Sequence, residues 1–331
     1  MDMPLSRDRL VELLDRARGK RILVVGDAML DVYLSGDVER ISPEAPVPVI
    51  RVRERKYALG GAANVAQNVV AIGATCHLVA AVGCDRAGET LRTMLKALGA
   101  SDDGLMAFDR CTTQKTRILA RAQQLARVDE EDDADFTRSE IGPLLDQARS
   151  AIAVADAVVL EDYNKGVLVP EVIAEVMRLA QEGSVPVVVD PKYSNFFLYR
   201  GATIFKPNVR ELEAALGAAV DLDHPETLPA TLVRLGVEHI LLTLGERGMA
   251  LFSADGEIAR LPTHAREVYD VVGAGDTVTA YLATMLAAGA SPSEAAVVAN
   301  IAAGIEVGKL GAATATPAEI TEYVDAHGLH S

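Results

Sequence analysis

Gly273, Ala274 and Gly275 stand directly before a carboxylate, Asp276, in "VYDVVGAGDTVTAYLATMLAAGA", residues 268–290. Tyr281, Leu282, Met285 and Leu286 then recur at helical spacing, which places Asp276 in the first turn of a helix. The N–H groups of a first turn have no intrahelical partners and make an anion site. Glycine lets a phosphate approach that backbone closely. A carboxylate aimed at a bound anion repels it, so its presence there calls for a use. The chemistry expected is removal of a proton from a hydroxyl, which then attacks the anion.

Other chemistry-bearing residues follow short apolar runs: Asp27 and Asp31, Asp162, Asp190 with Lys192, Asn208, and Gly245. "KPNVRELE" supports two readings. Asn208 and Glu211 have the spacing of a helix cap with its reciprocal acid. They equally suit phosphates and a hydrated magnesium ion, which prefers carboxylates and water. Thr243 and Gly245 in "LLTLGERGMALF" mark a turn at a strand end. Lys192 in "DPKYSNF" reads as a rim salt bridge or as an active group. The Gly60–Gly61 pair before "AANVAQN" fits either tight packing at a hinge or close approach of a substrate, with Asn64 reaching its hydroxyls.

Several known signatures are missing. "GCDRAGET" imitates a P-loop, but Glu89 stands where the phosphate-binding lysine belongs. "GAGDTV" lacks the third glycine of a dinucleotide fingerprint and comes late in the chain. There is no H-E-x-x-H and no G-x-S-x-G. The acidic stretch "DEEDDADF", Asp129 to Phe136, reads as a solvated loop rather than a metal site.

The elements that must position these residues show in the patterning. "RILVVGD", "TCHLVAAVG", "DAVVLEDY", "VPVVVDPK", "ATIFKPN" and "HILLTLGERG" read as buried parallel strands. "AANVAQNVVAIG", "AGETLRTMLKALG", "VPEVIAEVMRLAQEG" and "NVRELEAALG" read as the helices between them. The fold class expected is α/β, a doubly wound, mostly parallel sheet with helices on both faces. Its ligands sit beyond the carboxyl ends of the strands. Residues 31–59 and 111–128 break the rhythm with polar–apolar alternation and read as a small β lid inserted in one domain, 1–331. With 331 residues, half of them hydrophobic, the chain has ample material for that core. A net charge of -15 argues against nucleic acid or an anionic membrane as partner. Cys76, Cys84 and Cys111 show no metal-ligand spacing and fit a reducing cytoplasm. The start of the chain has no apolar signal core, and no apolar run is long enough for a bilayer.

The order G-G-x-x-N-x-A, D-P-K, N-x-x-E, T-x-G-x-x-G and D-x-x-G-A-G-D resembles the ribokinase-like (PfkB) carbohydrate kinase family over nearly the whole chain. The last motif, Asp270 to Asp276, is the most specific, with Val271 where the family often has threonine. "ERISPEAPVPVI", "GGAANVAQNV", "QQLARVDEED", "YNKGVL" and "VGKLGAATATP" resemble one branch, the D-glycero-β-D-manno-heptose-7-phosphate kinases. Ala122 departs from the polar residue expected there. The chain stops after "TPAEITEYVDAHG", which resembles the separate kinase rather than the form joined to a nucleotidyltransferase.

The resemblance implies phosphorylation of the anomeric hydroxyl of the heptose 7-phosphate by ATP with magnesium, for ADP-heptose and lipopolysaccharide synthesis. Asp276 would be the base, with Gly273, Ala274 and Gly275 offering N–H groups to the moving phosphoryl group. Asn208 and Glu211 would hold phosphates and magnesium. Thr243, Gly245, Asn300 and Ala303 would line the nucleotide, and Asp31, Gly61, Asn64, Arg121, Gln123, Asp162 and Lys192 the sugar phosphate. Lid strands carrying Arg40, Lys115, Arg117, Arg121 and Arg127, together with Lys165 and Lys192, would supply cations for the far-end phosphate; Lys192 is the preferred anchor. Exposed lid edges imply a homodimer. Two other readings stay open: a kinase of another sugar or a nucleoside, and a binding protein without turnover.

Overall fold

The computed structural model describes residues 5–120, 123–221, 228–253, 256, 258–264, 271–309 and 313–327. Among them the elements run α1 (Arg7–Ala17), β1 (Arg21–Gly26), β2 (Ala28–Ile41), β3 (Pro48–Gly61), α2 (Ala62–Ile72), β4 (Thr75–Gly83), α3 (Arg86–Ala97) and β5 (Leu105–Phe108). Next come β6 (Gln114–Ala120), β7 (Gln123–Glu130), α4 (Arg138–Ile152), β8 (Ala157–Glu161), α5 (Pro170–Glu182), β9 (Val187–Asp190), β10 (Ile204–Phe205) and α6 (Val209–Leu216). The chain continues with α7 (Leu228–Leu235), β11 (His239–Thr243), β12 (Met249–Ser253), β13 (Ile258–Leu261), α8 (Ala274–Ala287), α9 (Pro292–Glu306) and α10 (Pro317–His327).

Nine strands form one sheet in the order β13-β12-β11-β10-β9-β8-β1-β4-β5. Eight run in one direction; β12 alone is reversed, so the pairs β11–β12 and β12–β13 at one edge are antiparallel. β1, β8 and β9 are nearly continuous Val, Leu and Ile because both faces are covered. On one face α1, α2, α8 and α9 pack through Leu10, Leu13, Val65, Val69, Tyr281, Leu282 and Ile301. On the other, α4 and α5 pack through Leu144, Val172, Ile173 and Val176 against Tyr199 and Phe205. Burial all round α8 makes it an internal helix rather than an amphipathic surface one, so its first turn stands at the middle of the sheet's carboxyl end.

The expected doubly wound sheet is present, and every strand and helix quoted above has its counterpart. The antiparallel edge β12–β13, the short parallel strand β5 and helices α4, α7 and α9 add to that reading. The two lid segments pair with each other in a second sheet, β3-β2-β6-β7. β2 starts two residues after β1, and its first five residues are buried while its far half projects into solvent. The lid is thus a lever rooted at Asp27 and Ala28.

The root explains one glycine. Gly61 joins β3 to α2 with φ 55° and ψ −134°, and a Cβ there would stand 2.4 Å from the Asp27 carbonyl oxygen. Only glycine fits, so tight packing accounts for this residue whatever it does with substrate. Gly61→Ala is expected to lower stability by about 1–3 kcal/mol from backbone strain alone, with the clash in addition. The urea midpoint measures it, and an unchanged midpoint would refute the packing role.

Candidate active site

The structure places Asp276 in the first turn of α8, as the spacing indicates, with Gly273 at φ 96° as the residue before it. The first helical bond runs from the Thr277 N–H to the Gly273 carbonyl at 2.9 Å. Among the described residues no side chain caps this turn, which leaves the N–H groups of Ala274, Gly275 and Asp276 for a ligand. Asp276 is 5 % exposed. Its Oδ2 accepts from Asn64 Nδ2 at 2.7 Å and its Oδ1 from the Tyr163 hydroxyl at 3.0 Å. Asn64 is fixed from below: Asn68 donates to its carbonyl at 3.0 Å, and Thr277 donates to Asn68 at 3.0 Å. Burial pushes the Asp276 carboxyl up to about 7, against the Asn64 donor and with the Asp190 charge. A base poised near neutrality is what proton abstraction at physiological pH requires.

Tyr163 owes its position to Asp27 at the end of β1. The buried Asp27 carboxylate accepts from the backbone N–H groups of Tyr163, Lys165 and Val167 at 2.8, 3.0 and 3.2 Å. Its own pKa is pushed up to about 6 by burial and then by Asp162.

On one side of the α8 turn lies a cleft of about 380 Å³ lined by Thr243, Gly245, Val271, Ala274, Asn300 and Ala303, among others. On the other side lie Asp31 and the root of the lid. Such a two-sided arrangement, with an uncapped helix start and a base between the sides, suits transfer of an anionic group.

A profile of the pfkB family carbohydrate kinases matches residues 20–319. The chain belongs to that family. As a carbohydrate kinase it is a phosphotransferase, and kinases of its family use ATP with magnesium. It is 43% identical to the bifunctional protein HldE of Citrifermentans bemidjiense over 98% of its own length and 67% of that protein. It is 44% identical to the bifunctional protein HldE of Rhodospirillum rubrum over 95% of its length and 64% of that protein. The kinase chain thus spans about two thirds of the relatives it matches. Its fold superposes on ribokinase from Arabidopsis thaliana, solved with ribose and ATP, at a TM-score of 0.73 with 20% identity, covering 93% of this chain and 99% of that one. Phosphofructokinase-2 from Escherichia coli, solved with substrates and products, gives 0.77 with 17% identity, over 93% and 99%.

Several residues of the kinase stand differently from the sequence expectation. Asn64, expected at the sugar hydroxyls, donates its amide to Asp276. Asp162 is turned inward, accepting from the Tyr199 hydroxyl at 2.6 Å and Asn195 at 3.2 Å, because its strand end faces the aromatic layer under α5. Lys192 ion-pairs with Glu211 at 2.5 Å and its ammonium lies 5.1 Å from the Tyr163 ring. That seats it beside Tyr163, the hydrogen-bond partner of the base. Glu211 does close a capping box, its Oε2 accepting from the Asn208 N–H at 2.9 Å, while its other oxygen holds Lys192. Both readings of that acid therefore retain support.

Three of the cations expected for the far-end phosphate are already paired. Arg117 binds Asp31 at 2.6 Å, Lys115 reaches Asp129 at 3.6 Å and Glu131 at 3.3 Å, and Lys165 reaches Glu131 at 3.0 Å. "DEEDDADF" is accordingly more than a solvated loop: its first residues finish β7 and clamp these lysines. Gln123 is exposed at the start of β7, and Arg121 lies outside the described residues, as does Asp270. Tyr163, Glu161 and Lys206 escaped the sequence reading. The signal was available, since Glu161 ends the otherwise apolar strand "AVVLE" and Lys206 follows "IF" directly.

The raised Asp276 pKa has a sign. A carboxyl titrating near 3.8 when unfolded and near 7 when folded gives stability that is complete below the lower value and is lost as pH rises to the upper. Asp276→Asn removes that loss. Its thermal stability relative to wild type is expected to be greater at pH 8 than at pH 5 by on the order of 2 kcal/mol. An equal difference at both pH values would contradict the raised pKa.

Proposed function

We propose that the chain transfers the γ-phosphoryl group of ATP to the anomeric hydroxyl of D-glycero-β-D-manno-heptose 7-phosphate, giving the 1,7-bisphosphate. The observation that carries the chemistry is the buried Asp276 carboxylate, held by Asn64 and Tyr163 at an uncapped helix start. The likeness to HldE proteins at 43% and 44% identity supports the substrate. Such a product belongs to cytoplasmic synthesis of ADP-heptose for lipopolysaccharide. Among the described residues no helix is long and apolar enough to cross a membrane.

In this reading Asp276 accepts the hydroxyl proton as the sugar oxygen attacks phosphorus. Gly273, Ala274 and Gly275, with Asp276, supply the turn whose N–H groups meet the charge on the moving phosphoryl group. Thr243, Gly245, Asn300 and Ala303 line the nucleotide. Lys192, fixed on Glu211 near Tyr163, stands on the phosphate side. Magnesium, when bound, neutralises phosphate charge. Glu211 and Asn208 fit it through water, because the buried carboxylate is already pinned by a backbone N–H and a lysine. Asp31 and Gly61 face the sugar at the lid root, with Lys115, Arg117 and Lys165 ready to exchange a carboxylate for the sugar's far phosphate. Lid closure excludes water from the reaction.

The lid also supports a homodimer. Val38, Ile41, Val52, Leu125 and Val128 are exposed on strands whose outer edges, β3 and β7, have no neighbour among the described strands.

The test is ADP release with heptose 7-phosphate, heptose, ribose and fructose. Two charge-assisted contacts favour the phosphorylated heptose about a hundredfold or more in kcat/KM. Asp276→Asn is expected to lower turnover by roughly a hundred- to ten-thousand-fold with nucleotide affinity little changed. Equal efficiency on an unphosphorylated sugar would overturn the substrate, and near-normal turnover of the variant would remove Asp276 from the mechanism.

A further inference from the structure

Asp276 is one of three acids that meet at the strand ends. Glu161 closes β8 and Asp190 closes β9, paired in register. One carboxylate oxygen each from Glu161, Asp190 and Asp276 lies within 4.8 Å of the others. Glu161 is 0 % exposed, and no N–H or O–H donor among the described residues reaches either of its oxygens. Three like charges this close and this dry cannot all be ionised.

Two features relieve them. Lys206, itself buried, places its ammonium 2.7 Å from Asp190 Oδ2. Glu161 keeps its proton: burial first, then the charges of Asp190 and Asp276, holds its pKa well above the usual carboxylate range. A protonated Glu161 can donate to Asp190, whereas an ionised one would be an acceptor with no donor. The Lys206–Asp190 pair lies directly under the anion-binding turn. A Cβ on Gly275 would stand 3.5 Å from the Lys206 ammonium and 3.8 Å from Asp190 Oδ2.

We propose that Lys206 is a positioning residue for phosphoryl transfer: seated on Asp190 beneath the Gly275 turn, it cancels the charge that Asp190 would press on Asp276, while a neutral Glu161 keeps the third acid from adding to that charge. The inference rests on Asp276 being the base. The other groups on Asp276 are Asn64 from α2 and the Tyr163 phenol; the Lys192–Glu211 pair stands on the Tyr163 ring, and Glu306 of α9 faces Gly273.

The experiment is the pH dependence of kcat/KM, by ADP release, in wild type, K206M, D190N, the double variant and E161Q. K206M leaves Asp190 uncompensated, so the acid limb should move up by roughly 1–2 pH units. D190N leaves the lysine charge unopposed and should move the limb down. The double variant, balanced again, should return to within about half a unit of wild type. E161Q, shaped like the protonated acid, should leave the limb in place. A K206M limb at the wild-type position, a D190N limb that does not fall, or a double variant still displaced would overturn the proposal. A downward shift in E161Q would show that Glu161 is ionised and overturn its part. If K206M does not fold, as read by circular dichroism, the charge-balanced double variant and D190N decide the matter. Asp276→Asn separates the two readings. If that variant keeps the limb, the base assignment fails and this inference with it. If it is inactive while K206M leaves the limb unmoved, only the inference fails.

Discussion

The site depends on holding one carboxylate out of water beside the place where a phosphate must come. Asp276 is nearly fully buried at an uncapped helix start, and its two oxygens have one partner each, Asn64 and Tyr163. Burial disfavours its charge and the two hydrogen bonds favour it, so the carboxyl comes to rest near neutrality. Without the donors it would hold its proton and abstract nothing. In open water it would ionise at low pH and be too weak a base. The helix turn supplies the opposite sign: its free N–H groups attract the anion that the carboxylate alone would repel.

Most of the fold can be read as support for that balance. The parallel strands end together, so Asp27, Glu161 and Asp190 arrive at one level from β1, β8 and β9. Asp27 spends its carboxylate on three backbone N–H groups and thereby fixes Tyr163. α2 and α8 pack on the same face of the sheet, which brings Asn64 to Asp276 across 212 residues of chain. The lid grows from the strand end beside Asp27, so a movement of the lid is referred to the same rigid floor. Its cations are stored against Asp31, Asp129 and Glu131, which keeps a strongly acidic protein from presenting a bare basic pocket.

Much of this was legible in the sequence, for identifiable reasons. Buried parallel strands are short apolar runs, and their ends carry the polar residues, so the sheet and the Gly-Ala-Gly-Asp turn stood out together. The pairing of acids with lysines did not. Strand alternation places Lys115 and Arg117 on one face of β6, but nothing local says that Asp31 and Asp129 lie opposite. Asn64 and Asp162 carried the right chemistry for sugar hydroxyls, but nothing local shows that long-range packing also gives them protein partners, Asp276 for one and Tyr199 with Asn195 for the other. Tyr163 had no motif of its own; its role comes from a loop shaped by Asn164 at φ 53° and Gly166 at φ 94°.

The measurement closest to the centre of this account is the titration of Asp276 itself. Carbon-13 NMR of the side-chain carboxyl in aspartate-labelled protein, assigned by comparison with the Asp276→Asn variant, follows its protonation directly. A base poised as Asp276 is gives a resonance that moves with a midpoint near 7. A midpoint in the ordinary aspartate range, near 4, would mean that the carboxylate is neither as dry nor as poised as the structure implies, and the base assignment would lose its physical ground.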